Sequence, residues 1–508
     1  MDCSLVTSKY RGIAGSCAIV WALALWPGMA RAETVAVPPE TITFTKHIAP
    51  VIFSRCTYCH RPGEAAPFSL LNYEDVKRRA KHIQEVAELR IMPPWKAKRG
   101  YGEFANDRSM SEQEIGLIKA WVEQGAAEGD PRDLPPAPEF VEGWQLGEPD
   151  VVVEMAEPFP VPASGPDIYR NFAVPVQVPE GKFLKAIEFR PSARTVTHHS
   201  LFAIDTEGIG RRLDEEDPGP GFSRMGFRGA GQGFQSIGGW AVGGTPLPFP
   251  PGIAIPLPAS CDLILQSHFH PSGKAEEERS QVGLFLTSEP PTRRATPIQM
   301  PVFFGIVKGI DIPPGEKDYT ITETFTVPVD SYATGISGHA HYICKEMKAT
   351  ATLPDGTEKP LIWIDDWDFS WQEEYRFKEE VSLPANTKIE VLIRYDNSAD
   401  NPKNPHNPPQ RIRWGRESTD EMGSMTLIMT PQKQDEAAAL DKARRVLVVR
   451  SLLNSPRSGG RRGDMRERIV ARFDADQNGE LDETELERAV DQIGPFIDRA
   501  AFAGLGVQ

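Results

Sequence analysis

Several groups of side chains in this sequence are of the right type and spacing to do chemistry. The first is Cys56-Thr57-Tyr58-Cys59-His60, two thiols separated by two residues and followed at once by an imidazole. Two thiols can add to the vinyl groups of a haem while the histidine binds its iron, so the pattern predicts one covalently attached c-type haem. A zinc half-site would need a second ligand pair, and no other cysteine pair exists; a thiol–disulfide pair has no use for the adjacent His60. For the second axial position Met92 is the favoured residue, in Ile91-Met92-Pro93-Pro94-Trp95, and His47 and His82 compete with it. A thioether there raises the reduction potential of the haem. The plainer reading of Met92 is an ordinary core residue.

The second group is made of histidine. The chain has 10 histidines, and six of them fall in three tight sets: His198-His199, His268 with His270, and His339 with His341. On a strand, residues i and i+2 point to one face roughly 7 Å apart, so two imidazoles there can chelate one metal. His339-Ala340-His341 has that spacing. Adjacent His198 and His199 would diverge on a flat strand and could share a metal only at a twist or bulge. A histidine on a half-buried strand usually just bonds a neighbour, but three sets together fit that account poorly. No carboxylates accompany them, which disfavours calcium, magnesium and facial-triad iron and points to copper or zinc.

Thr197-His198-His199-Ser200, Leu265-Gln266-Ser267-His268-Phe269, Gly338-His339-Ala340-His341 and Thr419-Asp420-Glu421-Met422 occur in that order. Residues 145–432 thereby resemble the ascorbate-dependent type II copper monooxygenases, the family of peptidylglycine α-hydroxylating monooxygenase and dopamine β-monooxygenase. The resemblance implies two coppers on two jelly-roll sandwiches facing a solvent-filled cleft. It implies that His198, His199 and His268 hold an electron-transfer copper, and that His339, His341 and Met422 hold the copper that binds dioxygen. His270 could replace or supplement His268, and Met425 and Met429 compete with Met422.

The third group lies near the C-terminus. From Asp474 to Glu485 the sequence fits a calcium-binding EF-hand loop position by position. Asp474, Asp476 and Asn478 offer side-chain oxygens, Gly479 makes the turn, Glu480 gives its carbonyl, Asp482 acts through water and Glu485 closes the loop with both oxygens. One calcium ion in a structural role is expected, since no second loop pairs with it. The basic stretch from Arg457 to Arg468 beside it reads as a solvated linker.

The elements that must position these groups follow from periodicity and punctuation. At 508 residues the chain exceeds one ordinary core, and about three domains are expected. Residues 1–32 read as a secretory signal, with Lys9 and Arg11 ahead of an apolar run and Ala30-Arg31-Ala32 at the cleavage site. The alternative is a membrane anchor, disfavoured by Pro27 and Gly28 and by the short span. Residues 33–138 are expected to form a small all-α cytochrome c domain. Residues 139–290 and 291–432 are expected to form two antiparallel β-sandwiches of short alternating strands between Pro/Gly turns. Residues 433–508 make a helical tail with the EF-hand. Four cysteines remain after cleavage, and Cys261 and Cys344 are candidates for a disulfide.

The net charge of −15 argues against non-specific nucleic-acid binding, which needs lysine and arginine on phosphates. No later segment is a membrane-length apolar run, so the mature protein is expected in the periplasm or secreted, without an integral membrane segment. The expected activity is hydroxylation of a C–H bond of a small molecule or peptide with O2. Electrons would come from an ascorbate-like reductant or soluble redox carrier and pass through the haem. Two other classes remain open: a haem and copper electron-transfer or copper-binding protein without oxygenase activity, and a carbohydrate-like binding module tethered to a cytochrome.

Overall fold

Alternating side chains and short turns build most of this molecule from antiparallel sheet. In the strand Lys388–Tyr395 every second residue, Ile389, Val391, Ile393 and Tyr395, is buried, the period of a sheet with one covered face. The strand Ser260–Phe269 is buried along almost its whole length because it is central in its sheet and covered on both sides. The computed structural model describes residues 41–105, 107–223, 234–415, 417–455 and 461–504. The signal expected at residues 1–32 lies outside the described residues.

Two sandwiches follow one another along the chain. In the first, Val151–Glu154, Gln281–Thr287, Phe183–Arg190 and Ile255–Pro256 form one sheet, in that spatial order. Ile168–Gln177, Ser260–Phe269, Thr197–Asp205 and Phe234–Ala241 form the other. Phe172, Leu184, Phe202, Leu263 and Val282 interlock between them. In the second sandwich, Thr296–Met300, Gly423–Pro431, Ser331–Ala340 and Glu374–Leu383 face Tyr319–Thr326, Lys388–Tyr395, Cys344–Thr352 and Glu358–Ile364. Its core contains Ile336, Met347, Val391 and Leu427, and it is extended by Leu440, Val448 and Val449 of the helix Ala437–Leu453. Sheets of this order suit jelly-roll sandwiches.

The expectation of a small all-α cytochrome c domain is corrected. The molecule is mainly β, and its helices are few and scattered. Residues 41–126 contribute Ala49–Arg55, Tyr73–Arg78, Ala80–Glu88 and Glu112–Glu123, gathered around Phe44, Ile52, Ile118 and Trp121. This segment does not close on itself: its Trp95, Ala97 and Phe104 belong to the core of the second sandwich. The physical reason lies in Pro93-Pro94, which cannot continue a helix, and in Gly100 and Gly102, which turn the chain onto the sheet. A Cβ on Gly102, whose φ is +85°, would meet the carbonyl oxygen of Leu361 at 2.3 Å. The extended chain then bonds the sandwich through Lys98 N to Trp363 O (2.7 Å), Ala105 N to Arg376 O (2.9 Å) and Lys378 N to Glu103 O (2.8 Å).

The candidate disulfide is also corrected. Cys261 and Cys344 are both free thiols. Cys261 packs in the core of the first sandwich and Cys344 in that of the second, so each is a small apolar residue in its own interior. Among the described residues, no helix is long and apolar enough to cross a membrane.

Phe104 anchors this docking, with its ring 5.9 Å from Trp95, 5.3 Å from Tyr375 and 5.4 Å from Phe377. Phe104→Ala should cost about 3 kcal/mol, the low end for emptying a buried phenylalanine site. A lower urea midpoint together with faster proteolysis between residues 95 and 110 would register it; an unchanged midpoint would show that the segment is not held by this contact.

Candidate metal centres

The first sandwich brings His198, His199 and His268 together. Cross-strand register sets His199 directly opposite His268, so these two imidazoles share a face. The pairing slips between Thr197 and His199, and that irregularity interrupts the alternation that would send His198 to the other side. The outcome is a group whose ligand atoms all lie within 4.8 Å of one another. His198 Nδ1 and His199 Nδ1 are 3.5 Å apart.

Asp167 orients the third member. Its carboxylate accepts from His268 Nε2 at 2.9 Å and from His270 Nδ1 at 2.7 Å. With Nε2 occupied, His268 Nδ1 is buried without a partner among the described residues, an arrangement in which the second ring nitrogen could serve as a metal ligand. Tyr169 lies flat on the same ring, centroids 4.4 Å apart and planes 8° from parallel. His270, by contrast, is exposed and stands outside the cluster. The hydrogen bond from His268, with help from His270, lowers the Asp167 pKa to about 2.

The second sandwich brings His339 and His341 together at the end of the strand Ser331–Ala340, with ring centroids 5.4 Å apart and planes at 90°. Each has one nitrogen held and one free. His339 Nδ1 bonds Gln372 Oε1 at 2.6 Å, and His341 Nδ1 bonds the Asp420 carbonyl at 3.2 Å. Both Nε2 atoms are buried without partners among the described residues. Gly423 stands opposite Ala340 in the register, so Met422 enters the sheet beside the end of the histidine strand. Met422 is buried yet belongs to none of the hydrophobic cores, whereas Met425 and Met429 are packed in the second core.

Glu421 ties these pieces together, and sequence reasoning used it only as context for Met422. Its buried carboxylate accepts from the backbone N–H groups of His341 (2.6 Å), Met422 (2.8 Å) and Ile343 (3.2 Å). Burial raises its pKa to about 8 despite those donors. Asp167 and Gln372 were likewise missed: neither stands in a histidine motif, and both reach their rings from loops distant in sequence.

One loop serves both clusters. Trp367 Nε1 donates to His341 O at 3.2 Å, and Phe369 meets the His341 ring at 5.7 Å between centroids. Trp371 reaches His198 at 5.6 Å, and its neighbour Gln372 holds His339. Glu373 pairs with Arg108 through two 2.8 Å bonds. Burial, followed by the neighbouring His268, His198 and His339 imidazoles, holds the His199 pKa well below its ordinary value.

The Cys-x-x-Cys-His motif sits against the first sandwich. Cys56 and Cys59 are free thiols, and burial pushes Cys56 up to about 12. His60 Nδ1 bonds the Phe68 carbonyl at 3.2 Å, which fixes the ring with Nε2 as the ligand atom for an iron. A cavity of about 410 Å³ opens beside Cys59, lined also by Tyr58, Glu64, Arg194, Trp240 and Gly243. Of the three residues that would hold a covalent haem, Cys59 lines this cavity, while Cys56 and His60 are not part of its wall. Met92 is 39% exposed beside exposed Leu89 and Ile91, outside the helical core, which removes the reading of it as core. His82 is exposed, and His47 Nδ1 accepts the Thr43 N–H at 3.1 Å.

In the C-terminal loop, Asp474, Asp476 and Glu485 bring ligand oxygens within 4.8 Å. Gly479 N–H donates to Asp474 Oδ2 (2.8 Å), and Ala475 N–H to Glu485 Oε1 (2.6 Å). Asn478 Nδ2 donates to Asp476 at 2.8 Å, Glu480 N–H to the Asn478 side chain at 2.8 Å, and Asp482 caps the following helix by accepting from Glu485 N–H at 2.8 Å. The oxygen-only donor set fits calcium.

No family model and no curated protein matches the chain. Among solved structures, the infectious bursal disease virus VP2 subviral particle matches with 10% identity and a TM-score of 0.19, over 57% of this chain and 73% of that one. The major capsid protein P2 of bacteriophage PM2 matches with 9% identity and a TM-score of 0.22, over 52% of this chain and 97% of that one. At these scores neither bears on function.

Asp167→Asn should weaken metal binding at the first cluster by roughly 10- to 100-fold, the usual cost of removing such a support. His270→Ala should leave binding nearly intact while His268→Ala abolishes it; the reverse result by calorimetric titration would make His270 the ligand.

Burial lowers His198 and His341 to about 4 and His339 to about 3. An imidazole ordinarily titrates near 6.5, so the metal-free folded chain binds fewer protons than the unfolded chain between about pH 3 and 6.5. Stability from these sites is therefore complete above that window and lost as pH falls through it. Melting temperature against pH should show this slope, flattened in His339→Gln.

Proposed function

We propose that the chain is an exported copper-dependent monooxygenase that hydroxylates a C–H bond of an organic substrate with O2, drawing electrons through a haem on Cys56, Cys59 and His60. The observation that carries this reading is the pair of buried histidine clusters, one per sandwich, each with imidazole nitrogens left free for a metal. Three imidazoles suit copper that cycles between oxidation states, and two imidazoles with the thioether of Met422 favour the cuprous state. Copper bound at these clusters would supply one-electron chemistry and oxygen activation, and the haem would supply one-electron reduction.

The protein's own residues do the positioning. Asp167 and Gln372 each occupy one ring nitrogen and so fix which nitrogen of His268 and His339 is offered. Glu421 holds the backbone that carries His341 and Met422. Phe369 and Trp371 place apolar surface against His341 and His198, limiting water at the rings. Calcium at Asp474 to Glu485 is assigned a structural role, and the place of action is the periplasm or the exterior. The substrate is a small molecule or peptide, with an ascorbate-like reductant or soluble carrier as donor.

Copper-depleted protein should lose O2 uptake coupled to a one-oxygen mass gain on glycine-extended peptides or phenethylamines, and copper but not zinc should restore it. Bound copper without any such product would select the electron-transfer or copper-binding reading instead.

A further inference from the structure

The turn that follows the strand Phe234–Ala241 touches two of the candidate centres at once. Gly243 has a φ of +78°, in the left-handed region that favours glycine. A Cβ placed on it would lie 3.4 Å from Cys59 Sγ, so the main chain runs directly beside that sulfur. The preceding residue, Val242, donates its N–H to the carbonyl of His198 at 3.1 Å. From the thiol to the backbone of the first cluster there is therefore one through-space gap between Cys59 Sγ and Gly243, the bonds of Gly243 and Val242, and one hydrogen bond.

Both ends of this path are held. The turn is closed by Gly244 N–H to Ala241 O at 2.8 Å. The Tyr58 hydroxyl bonds Gly244 O at 3.4 Å and Gln145 Oε1 at 3.0 Å, pinning the motif to the turn. Arg108, whose Nε is 3.9 Å from the same Cβ position on Gly243, pairs with Glu373, two residues from the Trp371 that covers His198.

We propose that Cys59, the turn of residues 241–244 and His198 form the electron-entry route from the haem motif to the first histidine cluster. The proposal rests on the function proposed above and names the receiving centre and the residues between. One electron leaves a ferrous haem on Cys56, Cys59 and His60, which becomes ferric, and reduces a cupric ion on His198, His199 and His268 to cuprous. No bond breaks and no proton moves along the route. Covalent and hydrogen bonds carry electronic coupling further than empty space does, which is why the approach of Gly243 to Cys59 and the Val242 bond matter.

The test uses full-length protein loaded with haem and copper, without O2 or substrate. The haem is reduced by a light flash in the presence of a photosensitiser, and its reoxidation is followed in the visible band alongside loss of the cupric EPR signal. Val242→Pro, which deletes the N–H donor, should slow reoxidation severalfold. Val242→Ala keeps the donor and should match the parent. Should the proline variant fail to fold, Tyr58→Phe loosens the same contact and should also slow transfer. Ascorbate reduction of the copper should be equal in all variants, showing that the cluster is intact.

Parent-like reoxidation in Val242→Pro, with an unaltered EPR spectrum, would overturn the route while leaving the monooxygenase reading in place. A parent that binds haem and copper but shows no intramolecular transfer would overturn the route and the haem's role in supplying electrons together. A parent that binds no copper would overturn the route and the function on which it rests.

Discussion

A buried imidazole is kept neutral, and a neutral imidazole has one nitrogen that donates and one that accepts. Whatever occupies the first decides where the second points. His268 spends Nε2 on Asp167, His339 spends Nδ1 on Gln372 and His341 spends Nδ1 on the Asp420 carbonyl. Each is left with a buried nitrogen that has no partner among the described residues. Unpaired buried polar atoms are costly, and finding three of them at two histidine clusters is the main reason to read the clusters as metal centres.

That constraint reaches the backbone. The slip in strand pairing beside His198 sacrifices ladder regularity so that consecutive histidines converge. The side-chain oxygens of Glu421 are buried against three backbone donors, which keeps His341 and Met422 in fixed relation. Each cluster lies within one sandwich, but Trp371 of the second reaches His198 of the first, so the packing of one sandwich against the other matters to the first cluster. The stretch from Trp367 to Glu373 serves that purpose, with contacts to His341, His198, His339 and Arg108.

The N-terminal segment belongs to the same assembly. Its helices are short and leave Trp95 and Phe104 to be buried by the second sandwich, while Tyr58 and Glu64 bond the first through Gln145 and Arg194. An autonomous helical domain would hold the Cys-x-x-Cys-His motif on a tether. A segment strapped across both sandwiches holds it at a fixed place beside the turn at Gly243.

The sequence by itself determined the groups whose chemistry is local. A Cys-x-x-Cys-His run, a His-x-His on a strand and a twelve-position acidic loop each carry their spacing within a few residues, and alternation and turn residues were enough to read the sandwiches. Only the tertiary structure decided what depends on partners far along the chain. His268 rather than His270 joins the first cluster because register places it opposite His199. Met425 and Met429 are core while Met422 is not, because strand alternation and the Glu421 clamp separate them. Cys261 and Cys344 stay apart because they lie in different interiors, and the helical segment fails to close because its aromatic residues find a larger apolar surface on the sheet. Asp167, Gln372 and Trp371 reach their histidines across loops, and no local pattern encodes a contact that exists only once the strands are paired.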